Sequence, residues 1–180
     1  YNNKPLIQYL KDYGFTKNIN ISRMAIEDNV NNSVMRGTNI TNNDIKRIAD
    51  FCYFNDMDMR ISCNLIPKHI DTFDKMIEMV NFYFTQGIRC VMFRELQNVS
   101  DFLNINSFFA NINANSEFTH IRTSEGMFYI VDEYYYKDMI VKCYDNKPNI
   151  NKDIVSSLSF NNVLKIGFNG PIIFDGGCRI

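Results

Sequence analysis

Three short segments of this chain end in polar residues able to act together on one ligand. Asn18–Ser22 alternates in polarity and leads into Ser22-Arg23, Met59–Asn64 closes on Ser62-Cys63-Asn64, and Ile88–Phe93 runs into Arg94-Glu95. A hydroxyl, an amide, two guanidinium groups and a carboxylate on one rim would hold a zwitterion. The arginine fork offers parallel donors to a carboxylate, and Glu95 would receive an ammonium or a ribose hydroxyl. The same residues admit a plainer arrangement, in which Glu95 pairs with Arg94 or Arg23 as a structural ion pair, because buried charges are almost always paired.

Other chemistry is thinner. His69 precedes a helix and His120 sits in a strand, and two distant histidines give little support to a metal triad or a Ser-His-Asp site. Asp71 and Asp74 are close enough for a divalent cation, yet helix capping accounts for both. Tyr134-Tyr135-Tyr136 would stack on a base or sugar, although an amphipathic strand edge explains the run more simply. The five cysteines, Cys52, Cys63, Cys90, Cys143 and Cys178, include no C-x-x-C or C-x-x-x-C spacing, which argues against a disulfide framework or a zinc knuckle. Cys63 and Cys90 fall in apolar strand patterns, where a thiol packs as a small hydrophobe. No glycine-rich phosphate loop follows any strand.

The elements that must position these residues follow from periodicity and punctuation. Pro5 suits a helix start, Leu6, Ile7 and Leu10 form an apolar stripe, and Gly14 is a stop. A short helix is predicted from Asp28 to Met35, ended by Gly37. Thr41 and Asp44 resemble a capping box ahead of Ile45, Ile48, Ala49 and Cys52 at helical spacing. Asp71 is placed to cap a helix carrying Phe73, Met76, Ile77, Val80 and Phe84, with Gly87 just past its end. The apolar strand that follows suits a sheet covered on both faces. Strand, helix, glycine and strand make a βαβ unit, which implies parallel pairing with a right-handed crossover. Beyond about Gln97 the pattern changes. A helix is predicted over Phe102–Phe109, then strands at Phe118–Arg122, Met127–Asp132, Met139–Tyr144, Val163–Phe168 and Pro171–Phe174, with turns at Ser124-Glu125-Gly126 and Asn169-Gly170. The Asn-rich run from Asn104 to Asn115 also admits a loop. The predicted fold is therefore α/β: a partial (βα) barrel of parallel strands over residues 1–97, with a C-terminal antiparallel or mixed β-rich extension over 98–180.

The strand ends carry a family resemblance. Asn18-Ile19-Asn20-Ile21-Ser22-Arg23, followed by Asn31 and Val34-Met35, resembles the middle of a radical S-adenosylmethionine (radical SAM) core domain. Met59-Arg60-Ile61-Ser62-Cys63-Asn64-Leu65 and Gly87-Ile88-Arg89-Cys90-Val91-Met92-Phe93-Arg94-Glu95-Leu96 resemble its next two strands. The resemblance covers residues 6–97 and rests on strand patterns. It implies that Ser22 and Arg23 approach the amino-acid end of S-adenosylmethionine, that Asn64 lies near its ribose or carboxylate, and that Arg94 and Glu95 face the cofactor or substrate. It also implies a [4Fe-4S] cluster, which in that family is held by a C-x-x-x-C-x-x-C loop after the first strand and cleaves S-adenosylmethionine to a 5′-deoxyadenosyl radical for hydrogen abstraction. That motif and the family's glycine-rich segment are not in this sequence. The resemblance starts near the helix before the family's fourth strand. The cluster-bearing part is thus expected on a missing N-terminal segment first, on another chain second, or is lost altogether in a degenerate remnant, and these 180 residues alone are expected to be inactive. Gly176-Gly177-Cys178 resembles extensions that add a cluster ligand, with a single thiol to offer.

Composition limits the classes. Hydrophobic residues make up 46% and charged residues 22%, with 15 Phe, 10 Tyr and no Trp, enough to build a core of ordinary globular type. A net charge of −1 gives no electrostatic footprint for nucleic acid or an anionic membrane. No segment resembles a signal peptide, and no apolar run approaches the ~20 residues that span a bilayer, so a reducing cytoplasm is the expected setting. Two other readings stand beside the enzyme fragment: a non-catalytic binding or accessory α/β domain, and a (βα)-barrel enzyme acting on a small metabolite.

Overall fold

The structure, a computed structural model, describes residues 5–14, 18–35, 40–95, 103, 105–126, 129–146, 163–165 and 172–174. The expected turns at Gly37 and Asn169-Gly170, and Gly176-Gly177-Cys178, lie outside those residues.

Helix α1 (Leu6–Asp12) follows Pro5 and ends where Gly14 turns at φ 66°. A left-handed conformation is open to glycine at little cost and to other residues at about 1–2 kcal/mol. The stripe expected on α1 stays shallow, since the helix buries no residue. Strand β1 (Asn18–Ser22) leads to α2 (Asp28–Met35) and α3 (Asn42–Phe54). The capping box on α3 is complete. The Asp44 N–H donates to Thr41 Oγ1 at 3.1 Å, and the Thr41 N–H donates to Asp44 Oδ2 at 3.0 Å, so two orphan donors of the first turn are satisfied reciprocally.

Strand β2 (Asp58–Leu65), helix α4 (Phe73–Thr85) and strand β3 (Cys90–Glu95) make the predicted βαβ unit. One detail differs. Thr72 caps α4, its hydroxyl accepting from the Lys75 N–H, while Asp71 accepts from the Lys68 N–H and from Lys75 Nζ. The hydroxyl adjacent to the first turn can reach the orphan amide, and the aspartate one residue earlier closes the preceding turn instead. Gly87 takes φ 84° past the helix end, and Ile88 is buried before β3 begins.

The helix expected over Phe102–Phe109 begins later, as α5 (Asn106–Ala114), and takes up most of the Asn-rich run for which a loop was also allowed. Strands β4 (Phe118–Glu125), β5 (Tyr129–Tyr136) and β6 (Met139–Asn146) follow. The six strands form one mixed sheet in the order β1-β2-β3-β6-β5-β4. β1, β2, β3 and β6 are parallel, whereas β5 and β4 are antiparallel to their neighbours. The compact unit to which they belong spans Tyr1–Asn146, so the change of pattern near residue 97 falls inside one sheet. Strands β7 (Val163–Lys165) and β8 (Ile172–Phe174) pair antiparallel in a second unit, Lys147–Ile180.

Side chains alternate across a strand, and here the alternation separates the sheet into two unlike faces. Ile21, Ile61, Cys63, Val91, Phe93 and Val141 are buried on one face against Ile45 of α3, Met76 and Tyr83 of α4, and Ile112 of α5. The helix-covered face holds the core. The opposite face carries Ser22, Ser62, Asn64, Arg94, Lys142 and Glu133, by register. Coverage of both faces was expected from the apolar run in β3, but the core helices pack on the face of Val91 and Phe93, and the other face of β3 carries Cys90, Met92 and Arg94 among the polar residues of its neighbours. Among the described residues no helix is long and apolar enough to cross a membrane.

Candidate functional site

The polar face is ordered in cross-strand rows. Ser22 pairs in register with Ser62, Ser62 with Met92, Met92 with Lys142, Lys142 with Glu133, and Glu133 with Arg122. One step toward the carboxyl ends of the parallel strands, Asn64 pairs with Arg94 and Arg94 with Tyr144. Sites in parallel α/β sheets gather at that end, where loops converge. Ser22, Asn64 and Arg94 therefore share one face on three neighbouring parallel strands.

Arg94 is half-buried, and its guanidinium carbon lies 4.4 Å from the centre of the Tyr144 ring. A cation this close to an aromatic face is attracted by the ring quadrupole, and an arginine fork offers parallel donors to a carboxylate. Burial pushes the Tyr144 phenol above its ordinary value, only partly offset by the nearby Arg94 charge. Tyr144 is thus a neutral platform at physiological pH.

Arg23 and Glu95 do not join this rim. Each is one residue out of phase with the polar set, and a one-residue step reverses the face. The Arg23 side chain is fully buried on the helix side. Its Nε donates to Tyr83 Oη at 3.1 Å, Nη1 donates to the Ile40 carbonyl at 3.0 Å, and Nη2 donates to the Ile26 carbonyl and Asp28 Oδ1, both at 2.9 Å, and to Asn42 Oδ1 at 3.2 Å. Its ion pair is with Asp28. Glu95 is buried and accepts from the Ile105 N–H at 2.9 Å, tying the end of β3 to the start of α5. The five-residue rim expected from sequence is corrected to three residues facing the open side and two acting as fasteners beneath it. Asn31 is a third fastener, buried with its Oδ1 accepting from the Met24 N–H at 2.8 Å.

The sequence reading passed over an ion triad on the same face. Glu133, 6% exposed, receives Lys142 Nζ at 2.8 Å and Arg122 Nη2 at 3.1 Å, both on Oε1. Burial pushes the Glu133 carboxyl up, but the hydrogen bonds and charges of the two cations outweigh that and hold it below its ordinary value. The signal was present in the period-two spacing of Val131, Glu133 and Tyr135. Ending the predicted strand at Asp132 hid it.

The remaining candidates resolve as structure. Tyr134 and Tyr136 are buried on the helix-covered face and Tyr135 is half-exposed on the other, in a strand with neighbours on both sides. His120 is exposed, with Nε2 within 3.1 Å of Thr123 Oγ1 and 3.3 Å of Asp132 Oδ1. Both contacts fall on the same ring nitrogen, whereas a relay needs the two nitrogens on different partners.

A [4Fe-4S] cluster is held by cysteine thiolates that converge on it. Cys52, Cys63 and Cys143 are free and buried, their thiols pushed up by burial, and Cys90 is half-buried with its thiol raised for the same reason. Among the described residues no three His, Cys, Asp or Glu side chains are grouped closely enough to hold a metal ion. The described residues do not fit such a cluster. They do fit a carboxylate-bearing ligand on Arg94, with Asn64 and Ser22 as polar neighbours. No protein-family model, curated protein or solved structure matches this chain.

Proposed function

We propose that this chain is the later part of a radical SAM (βα) barrel, its polar face forming the inner wall and its carboxyl-end rim binding S-adenosylmethionine. The carrying observation is that Ser22, Asn64 and Arg94 lie on one face at the ends of adjacent parallel strands, with all the core-forming helices on the other. In this reading Arg94, held beside the Tyr144 ring, takes the carboxylate of the ligand, and Asn64 bonds its carboxylate or ribose. Ser22 lines the approach. Arg23 and Glu95 act as positioning residues, by fixing the loops that follow β1 and β3. The complete enzyme would cleave the sulfonium reductively to a 5′-deoxyadenosyl radical, for hydrogen abstraction from a substrate that the resemblance does not specify. The cluster would be held by polypeptide outside these residues, and the chain alone would not perform the cleavage.

The test is direct titration of the chain with S-adenosylmethionine. Binding is expected, weakened at least tenfold by Arg94→Gln and several-fold by Asn64→Ala, with thermal stability unchanged. Absence of binding, or equal binding by both variants, would sink the reading. A second reading, a non-catalytic accessory domain, is favoured by the structural use of Arg23 and Glu95. It expects that the chain, extended by any sequence preceding Tyr1 in its gene, gains no iron or sulfide on anaerobic reconstitution.

A further inference from the structure

The open face of the sheet carries a stack of side chains that runs across three strands. Arg94 of β3 pairs in register with Tyr144 of β6, and Tyr144 pairs with Val131 of β5. Tyr129 comes two residues before Val131, so it shares that face and stands diagonal to Tyr144, a separation that aromatic side chains bridge. The Tyr129 and Tyr144 rings are stacked, with centroids 4.8 Å apart and planes 28° from parallel. The Arg94 guanidinium carbon lies 4.4 Å from the centre of the Tyr144 ring.

The far end of the stack rests on Gly126. A Cβ added there would sit 2.5 Å from Cζ and 2.6 Å from Cε1 of Tyr129, so the ring occupies the place of a side chain at residue 126. The Gly126 N–H donates to the Tyr129 carbonyl at 2.9 Å, which ties the turn after β4 to the start of β5. Gly126 takes no positive φ. Space, and not backbone conformation, calls for glycine at this position.

Arg94 has little else to hold it. Lys142 and Arg122, on the same face, share the Glu133 carboxylate, whereas among the described residues no ion pair includes Arg94. A long side chain free to turn loses rotamer freedom when it binds, and one already held loses less.

We propose that Tyr129 and Gly126 are positioning residues, which set the orientation of the Arg94 guanidinium through Tyr144. Gly126 leaves room for the Tyr129 ring, Tyr129 braces Tyr144, and Tyr144 attracts the cation through its ring quadrupole. Their part in ligand binding rests on the reading that Arg94 takes a carboxylate, while the stack itself does not depend on it.

Nuclear magnetic resonance of the Arg94 Nε–Hε group reads the stack without any ligand, because a proton beside an aromatic face is shifted by the ring current. The signal is assigned by its loss in Arg94→Gln. Tyr129→Ala and Gly126→Ala are each expected to move it toward the position of a free arginine. Tyr129→Phe keeps the ring and is expected to leave the signal in place. Backbone amide signals of β1, β2 and α4, remote from these substitutions, show whether each variant is folded, and a folding defect in one leaves the other decisive. The proposal is overturned if the Arg94 signal of a folded Tyr129→Ala or Gly126→Ala matches the parent, or if Tyr129→Phe moves it as far as Tyr129→Ala does.

Titration with S-adenosylmethionine separates this proposal from the rim reading. Where the parent binds, both alanine variants are expected to bind several-fold more weakly and Tyr129→Phe to bind as the parent does. Unchanged affinity in the alanine variants, with weakened binding by Arg94→Gln, overturns the positioning role and leaves the rim reading intact. A parent that does not bind, with an Arg94 signal that still follows Tyr129 and Gly126, removes the rim reading and leaves the positioning role standing.

Discussion

The buried guanidinium of Arg23 donates to the phenol oxygen of Tyr83, sixty residues further along the chain, at 3.1 Å. The bond locks the end of β1 to the last turn of α4. The remaining donors of Arg23 reach the Ile26 and Ile40 carbonyls, Asp28 and Asn42, so one side chain gathers the start of α2, the start of α3 and α4 around the first strand end. Burial, opposed by a smaller effect of the Arg23 charge, pushes the Tyr83 phenol up to about 12, which keeps it neutral and able to accept.

Arg23→Ala is accordingly expected to destabilise the fold by about 3–5 kcal/mol, the range seen when one partner of a buried pair is removed. Arg23→Lys is expected to recover little of this, because an ammonium cannot span the planar fan of acceptors. Tyr83→Phe is expected to cost about 1.5–3 kcal/mol, as for hydrogen bonds to charged groups. Urea unfolding monitored by circular dichroism measures all three, and an unchanged midpoint for Arg23→Ala would refute the fastening role.

Glu133 links stability to acid. Its carboxyl is held below the ordinary value in the folded chain, so its contribution is fully present above the unfolded value of ~4.3 and is lost as pH falls through the folded value. Glu133→Gln is expected to be less stable than the parent at pH 7, with the gap narrowing as the solution is acidified below ~4. Melting temperatures recorded from pH 7 down to pH 3 check it. A gap that widens toward low pH would show that the triad is not the source.

Thr41→Ala is expected to cost about 1 kcal/mol by removing the N-cap of α3. Because the box is reciprocal, Thr41→Ala combined with Asp44→Ala is expected to cost less than the two single losses added together. A double-mutant cycle in chemical denaturation gives the coupling directly.

Gly87→Ala meets no atom within 4 Å, so its cost is that of the backbone alone. At φ 84° that is about 1–2 kcal/mol. A larger loss would point to a contact that the open surroundings of Gly87 do not contain.

Much of this molecule was legible in advance. The helices over Asp28–Met35 and after Thr41, the βαβ unit and the final hairpin strands all follow from period and punctuation, because each local preference agrees with its place in the fold. The rim was half legible. Spacing identified polar strand ends, but it treated Ser22 with Arg23, and Arg94 with Glu95, as neighbours on one surface, when consecutive strand residues face opposite ways. The triad on β4, β5 and β6 escaped for a different reason: the expected strand stopped at Asp132, one residue short of Glu133, whereas β5 runs on to Tyr136. Nor does local sequence carry the pairing of β3 with β6, a contact between segments separated by α5 and a hairpin.

That last pairing has a consequence for the integrity of the chain. Cys90–Arg94 is bonded along its length to Ile140–Tyr144, and β5 and β4 attach to the sheet through β6. A single nick between Glu95 and Met139 would leave each product with a bare strand edge and only part of the apolar layer, Val91 and Phe93 on one piece, Val141 and Cys143 on the other. Each piece would then expose apolar surface that the other covers. The two would reassociate by strand complementation, and a cut chain would keep its shape until denaturant separated them.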